Sequence, residues 1–91
     1  MSTCTKEFTI CNKLGMHARP AAQFVKKASR FSCNIWVEKD DEQVHGKSIM
    51  GLMMLAAGHG AKIVIIAEGV DAEDAVQELG GLIQGGFEDA D

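Results

Sequence analysis

Apolar and polar positions along this chain change period several times, and each change predicts an element. Phe8 and Ile10 alternate with Glu7 and Thr9, which predicts a strand over residues 3–10. Asn12 and Gly15 then mark a loop. From Ala18 the period becomes helical, with Ala21, Phe24, Val25 and Ala28 on one stripe. Pro20 falls in the first turn, where its missing N–H costs no hydrogen bond. Alternation returns over residues 32–38, with Cys33, Ile35 and Val37 on one side and Trp36 on the other. A polar turn, Lys39-Asp40-Asp41-Glu42, leads to a short strand over 43–46. Ser48 is a suitable N-cap for a helix from Ile49 to about Ala57. Gly58-His59-Gly60 is expected to end it, a glycine taking the left-handed conformation. Residues 62–68 read as the last strand. Asp71 then caps a third helix with the stripe Ala72, Ala75, Val76, Leu79, Leu82 and Ile83. Gly80-Gly81 lies inside that helix and should make its last turns fray.

The order βαββαβα, with short links, predicts an α+β fold. It is an open-faced sandwich: a four-stranded, mostly antiparallel sheet with three helices on one face. Ninety-one residues suffice for one domain, 1–91, with residues 86–91 expected to be a mobile acidic tail.

Composition narrows the partners. With 46% apolar and 24% charged residues, the chain is an ordinary globular one. A net charge of −4 disfavours nucleic acid and anionic membrane as main partners. No apolar run approaches a bilayer span, and the first residues carry no signal-peptide core, so a cytoplasmic location is expected. Three cysteines, Cys4, Cys11 and Cys33, lack paired spacing and read as reduced thiols. His45 and His59 have no metal-ligand spacing, so no metal or other cofactor is expected.

The chemistry concentrates at His17. It is the last loop residue before a helix whose first N–H groups, those of Ala18 and Arg19, have no intrahelical acceptor. Such a helix start binds anions. With a nucleophilic imidazole on the spot, the fitting anion is a phosphoryl group carried by the ring, with the Arg19 guanidinium adding a charged contact. Residues 49–57 leave almost no polar face, which implies a surplus of apolar surface. Leu52 and Leu55 are expected in the core, and Ile49, Met50 and Met53 in an exposed patch able to fit several partners. Arg19, Lys26, Lys27 and Lys47 form a basic surround suited to an acidic partner.

Gly15-Met16-His17-Ala18-Arg19-Pro20-Ala21, followed by Gly46-Lys47-Ser48-Ile49-Met50-Gly51-Leu52-Met53, resembles the HPr family. These are histidine-containing phosphocarriers of the bacterial phosphoenolpyruvate-dependent phosphotransferase system. The likeness spans about residues 6–83, departing at Met16, where leucine is usual, and at Gly80-Gly81. It implies that His17 accepts a phosphoryl group on Nδ1 from Enzyme I. His17 then passes it to a histidine of enzyme II A-type components. The chain would act as a monomeric carrier rather than an enzyme with its own turnover. The resemblance further implies that the patch docks these partners, and that Ser48 is a target of an HPr kinase/phosphorylase. A phosphate there adds about −1.5 to −2 charge inside the docking surface. The alternative is a regulatory HPr-like module acting through the Ser48 helix, which loss of the carrier histidine would mark. A small metal-binding regulatory domain would instead need a cysteine pair at the loop, where this chain has His17.

Overall fold

The structure is a computed structural model that describes residues 2–87. Seven elements follow in the order β1 (Thr3–Thr9), α1 (Ala18–Ala28), β2 (Asn34–Lys39), β3 (Glu42–His45), α2 (Ile49–Met54), β4 (Lys62–Glu68) and α3 (Ala72–Gln84). The strands form one sheet in the order β1-β4-β2-β3, and every neighbouring pair is antiparallel. β4 can occupy the interior because its sequence is apolar on both faces. Ile63, Ile65 and Ala67 are buried under the helices, and Val64 and Ile66 are half-buried on the other side.

Phe8 sits opposite Ile63, and Val37 opposite Ile65, so the inward rows of three strands coincide. Phe24 and Ala21 of α1, Leu52 of α2, and Ala75, Leu79 and Ile83 of α3 complete a single core. Trp36 takes the outer face as expected, between Ile66 of β4 and His45 of β3. The β2–β3 turn is a two-residue hairpin in which Asp40 and Asp41 both adopt φ 52°. Two left-handed residues match the twist of the flanking strands, and Asp tolerates that conformation.

Several boundaries differ from the sequence expectation for identifiable reasons. β2 begins at Asn34, because the N–H groups of Ser32 and Cys33 are taken by the Asp71 carboxylate at 2.8 and 3.0 Å. The same bonds correct the expected role of Asp71. It stands at the N-cap of α3, but its side chain caps nothing there. α2 stops at Met54, not near Ala57, and the left-handed residue directly at its exit is Ala56 (φ 52°), while within Gly58-His59-Gly60 it is Gly60 that is left-handed (φ 85°). The N–H groups of Leu55 and Ala56 bond three residues back, and the Ala57 carbonyl accepts the Met16 N–H at 2.8 Å. A contact with the His17 loop thus takes the place of another helical turn.

α3 runs unbroken through Gly80 and Gly81 to Gln84, against the expected fraying. Gly80 is buried against the Phe8 ring, where a Cβ would collide with it. Phe87 is buried, and its N–H bonds the Leu82 carbonyl, so the segment expected to be mobile from 86 onward is packed at its start. The expected tail at 88–91 lies outside the described residues.

Candidate functional site

His17 occupies the N-cap of α1 in an extended conformation (φ −85°, ψ −170°). Its carbonyl accepts the Ala21 N–H at 3.0 Å, which starts the helix, while its side chain makes no capping bond. The imidazole is therefore not used up in holding the helix end. Ala18 and Arg19 follow as the first two helical residues, both exposed. No backbone carbonyl among the described residues accepts from either N–H. Pro20, the third, is buried and has no N–H to satisfy. The helix start thus offers two amides and a positive dipole end beside a half-buried imidazole.

The preceding loop is closely specified. Gly15 has φ +72°, and a Cβ on it would strike the Ala57 carbonyl, so a side chain is excluded by conformation and by space. The Gly15 carbonyl accepts the His17 N–H at 3.0 Å, and the neighbouring Met16 N–H reaches Ala57. Met16 itself is a core residue, which ties the loop down between α1 and the exit of α2.

Ser48 caps α2, its Oγ accepting the Gly51 N–H at 3.0 Å. Leu52 and Leu55 are buried, whereas Ile49, Met50 and Met53 are exposed. Three exposed apolar residues were not anticipated from the sequence: Met54, Leu14 in the His17 loop itself, and Val70 between β4 and α3. Leu14 had a usable signal, being the one large apolar residue in an otherwise polar turn at 11–15. Met54 had none, since a helix apolar on all sides does not reveal which side faces out.

The basic surround is less uniform than expected. Arg19 and Lys26 are exposed. Lys27 lies 3.6 Å from Glu78 of α3. Lys47 requires a correction: its Nζ donates to the carbonyls of Phe31 and Cys33 at 2.7 and 3.0 Å. Those carbonyls precede β2 and lack strand partners, so the ammonium is committed within the chain rather than held out to an acidic partner. Beside it, burial and the Asp71 carboxylate push the Cys33 thiol up to about 11. Cys33 is thus a buried filler and a poor nucleophile. The exposed Cys11 thiol donates to the Ile83 carbonyl at 3.1 Å, near the end of α3. Among the described residues no helix is long and apolar enough to cross a membrane.

Comparison with known proteins gives a consistent picture. A family model described as "PTS HPr component phosphorylation site" matches residues 4–85. The phosphocarrier protein HPr of Neisseria meningitidis serogroup A is 50% identical over 78 residues, 86% of this chain and 88% of that protein. The HPr-like protein Crh of Halalkalibacterium halodurans is 47% identical over 79 residues, 87% and 94% of the two chains. The crystal structure of a phosphocarrier protein HPr from Bacillus anthracis superposes with a TM-score of 0.88 at 45% identity, covering 92% of this chain and all of that one. An HPr from Thermoanaerobacter tengcongensis, 50% identical with a TM-score of 0.76 over 92% and 99% of the chains, was solved as a dimer, which sits against the expectation of a monomer. With sequence, fold and helix-start histidine in agreement, this chain belongs to the HPr family of phosphocarrier proteins of the phosphotransferase system.

Proposed function

We propose that His17 is the carrier residue, accepting a phosphoryl group on Nδ1 from Enzyme I and passing it to enzyme II A-type components. The observation that carries this reading is the N-cap position of His17, with its side chain uninvolved in capping and the amides of Ala18 and Arg19 open ahead of it. In the accepting step the Nδ1 lone pair forms the N–P bond as the donor's bond to phosphorus breaks, and the donor keeps that electron pair. The protein's work is positioning and charge stabilisation. The two amides and the helix dipole face the phosphoryl oxygens, and Arg19 adds a charge-assisted contact. Dipole stabilisation is only about 0.3–2 kcal/mol. A weak hold suits a carrier, because tight binding of the phosphoryl group would oppose its release.

Leu14, Ile49, Met50, Met53 and Met54 supply the apolar docking surface, with Arg19 and Lys26 as its cations. Ser48 is the site of regulatory phosphorylation by an HPr kinase/phosphorylase, its hydroxyl standing at a helix start that tolerates added negative charge. The chain works as a single domain. A regulatory role through the Ser48 helix is the second reading, favoured by the 47% identity to an HPr-like protein Crh. The presence of His17 favours the carrier.

The test is incubation with phosphoenolpyruvate and Enzyme I. A single acid-labile, alkali-stable phosphate is expected on the parent protein and none on His17→Ala. An unchanged mass of the parent, or labelling of the variant, rules out the assignment.

A further inference from the structure

Asn12 is the only buried polar or charged residue among those described, 6% exposed, and it lies five positions before His17. Its Nδ2 donates to the Gly15 carbonyl at 2.8 Å. A carbonyl can only accept, which settles which end of the amide faces it. The same carbonyl accepts the His17 N–H at 3.0 Å, and the Gly15 N–H returns to the Asn12 carbonyl at 3.3 Å. One side chain therefore closes the loop on itself and shares its acceptor with the backbone of the carrier residue.

Two details argue that stability is not the reason for an amide here. The Asn12 Oδ1 is buried with no hydrogen-bond partner among the described residues. Burying an unpaired amide oxygen is unfavourable, and an apolar side chain of the same size would avoid that cost. Moreover, the Gly15 carbonyl keeps the His17 N–H as a donor if Nδ2 is removed, so truncating Asn12 orphans no backbone group. An amide retained against its own desolvation, bonded to the carbonyl that anchors His17, has the marks of function maintained at some expense to stability.

We infer that Asn12 is a positioning residue for phosphoryl transfer. By clamping the Gly15 carbonyl it sets the direction of the His17 backbone, and so the aim of the imidazole relative to the Ala18 and Arg19 amides. The inference rests on His17 being the carrier and adds a determinant of its rate. Misplacing a reacting group by about 1 Å costs on the order of 100-fold in rate, so a loosened clamp has a measurable effect.

The test compares the parent with Asn12→Leu, Asn12→Ala and Asn12→Ser, reading the thermal midpoint and the rate of phosphorylation by Enzyme I per folded molecule. Amide exchange at His17, relative to the strands, is read alongside. Asn12→Leu is expected to keep or raise the midpoint while transfer slows about tenfold and His17 exchange accelerates. The serine hydroxyl can still donate to Gly15 and should restore part of the rate. If Asn12→Leu folds poorly, Asn12→Ala carries the same comparison. Parental transfer in the folded leucine or alanine variant overturns the positioning role, as does slowing that serine leaves unrelieved. A parent that takes no phosphate on His17 defeats the carrier assignment itself, which is a separate outcome.

Discussion

At the scale of single residues, Asp71 shows how a helix-capping side chain is diverted by a stronger demand. Its carboxylate could have satisfied an amide of α3, but it accepts from the backbone of Ser32 and Cys33 instead. Those bonds cross 38 and 39 positions of sequence and pin the start of β2 to the start of α3. The Ser32 N–H foremost, and Cys33 after it, hold the carboxyl below its ordinary value of 3.8. A carboxyl more acidic in the folded than in the unfolded chain stabilises the fold above the unfolded value, and the benefit disappears as pH falls through the folded one. Asp71→Ala should therefore unfold earlier than the parent from neutral pH down to about pH 5, with the gap closing in more acid solution. Thermal melts at a series of pH values measure this directly. A gap that stays constant into strong acid would mean that the carboxylate charge plays no part.

Elements show the same contest between local preference and packing. Glycines at 80 and 81 should weaken a helix, yet α3 continues through both. Gly80 is needed because the helix approaches β1 so closely that the Phe8 ring occupies the place of a side chain. Gly81 faces open space, where an added Cβ meets nothing within 4 Å. The two positions should respond oppositely to alanine. Gly81→Ala is expected to stabilise by up to about 1 kcal/mol through helix propensity alone. Gly80→Ala gains the same propensity but overpacks Phe8, which is 5% exposed and has little room to yield. Overpacking of this kind costs about 1–3 kcal/mol, so a net loss is expected. Denaturant unfolding of the two variants decides it, and equal shifts would contradict the packing argument. α2 is the converse case, a helix cut short because the Ala57 carbonyl serves the Met16 amide.

Across the whole molecule, the notable property is an apolar surface drawn from α2 and the loop that carries His17. Met50 is 75% exposed, and Leu14 and Met54 nearly as much, in a chain whose other large apolar residues are mostly buried. Isolated exposed hydrophobes are unremarkable, but five drawn from one loop and one short helix form a surface suited to a partner. Met50→Glu should leave the melting temperature nearly unchanged, because the side chain contributes little to the core. It should weaken association with Enzyme I roughly tenfold or more, about 1.4 kcal/mol, as measured by calorimetry. Phosphate on Ser48 adds charge at the start of the same helix and is expected to act in the same direction. Parental affinity in Met50→Glu would place the docking surface elsewhere.

Local chemistry alone determined the element order, the inward rows of the strands, Ser48 as a cap, and His17 ahead of two unsatisfied amides. Each depends on residues within one turn or one strand, where periodicity and the geometry of a helix start suffice. Tertiary structure decided whatever required distant groups to meet. The Lys47 ammonium found the carbonyls of Phe31 and Cys33, Asp71 turned away from its own helix, Gly80 gave way to Phe8, and α2 ended where Ala57 met the loop of Met16. Asn12 combines both: its bond to Gly15 spans three residues, but only the folded chain buries its amide. Backbone groups left unpaired where strands and helices end must find partners, and which side chain is close enough to serve is known only once the chain has packed.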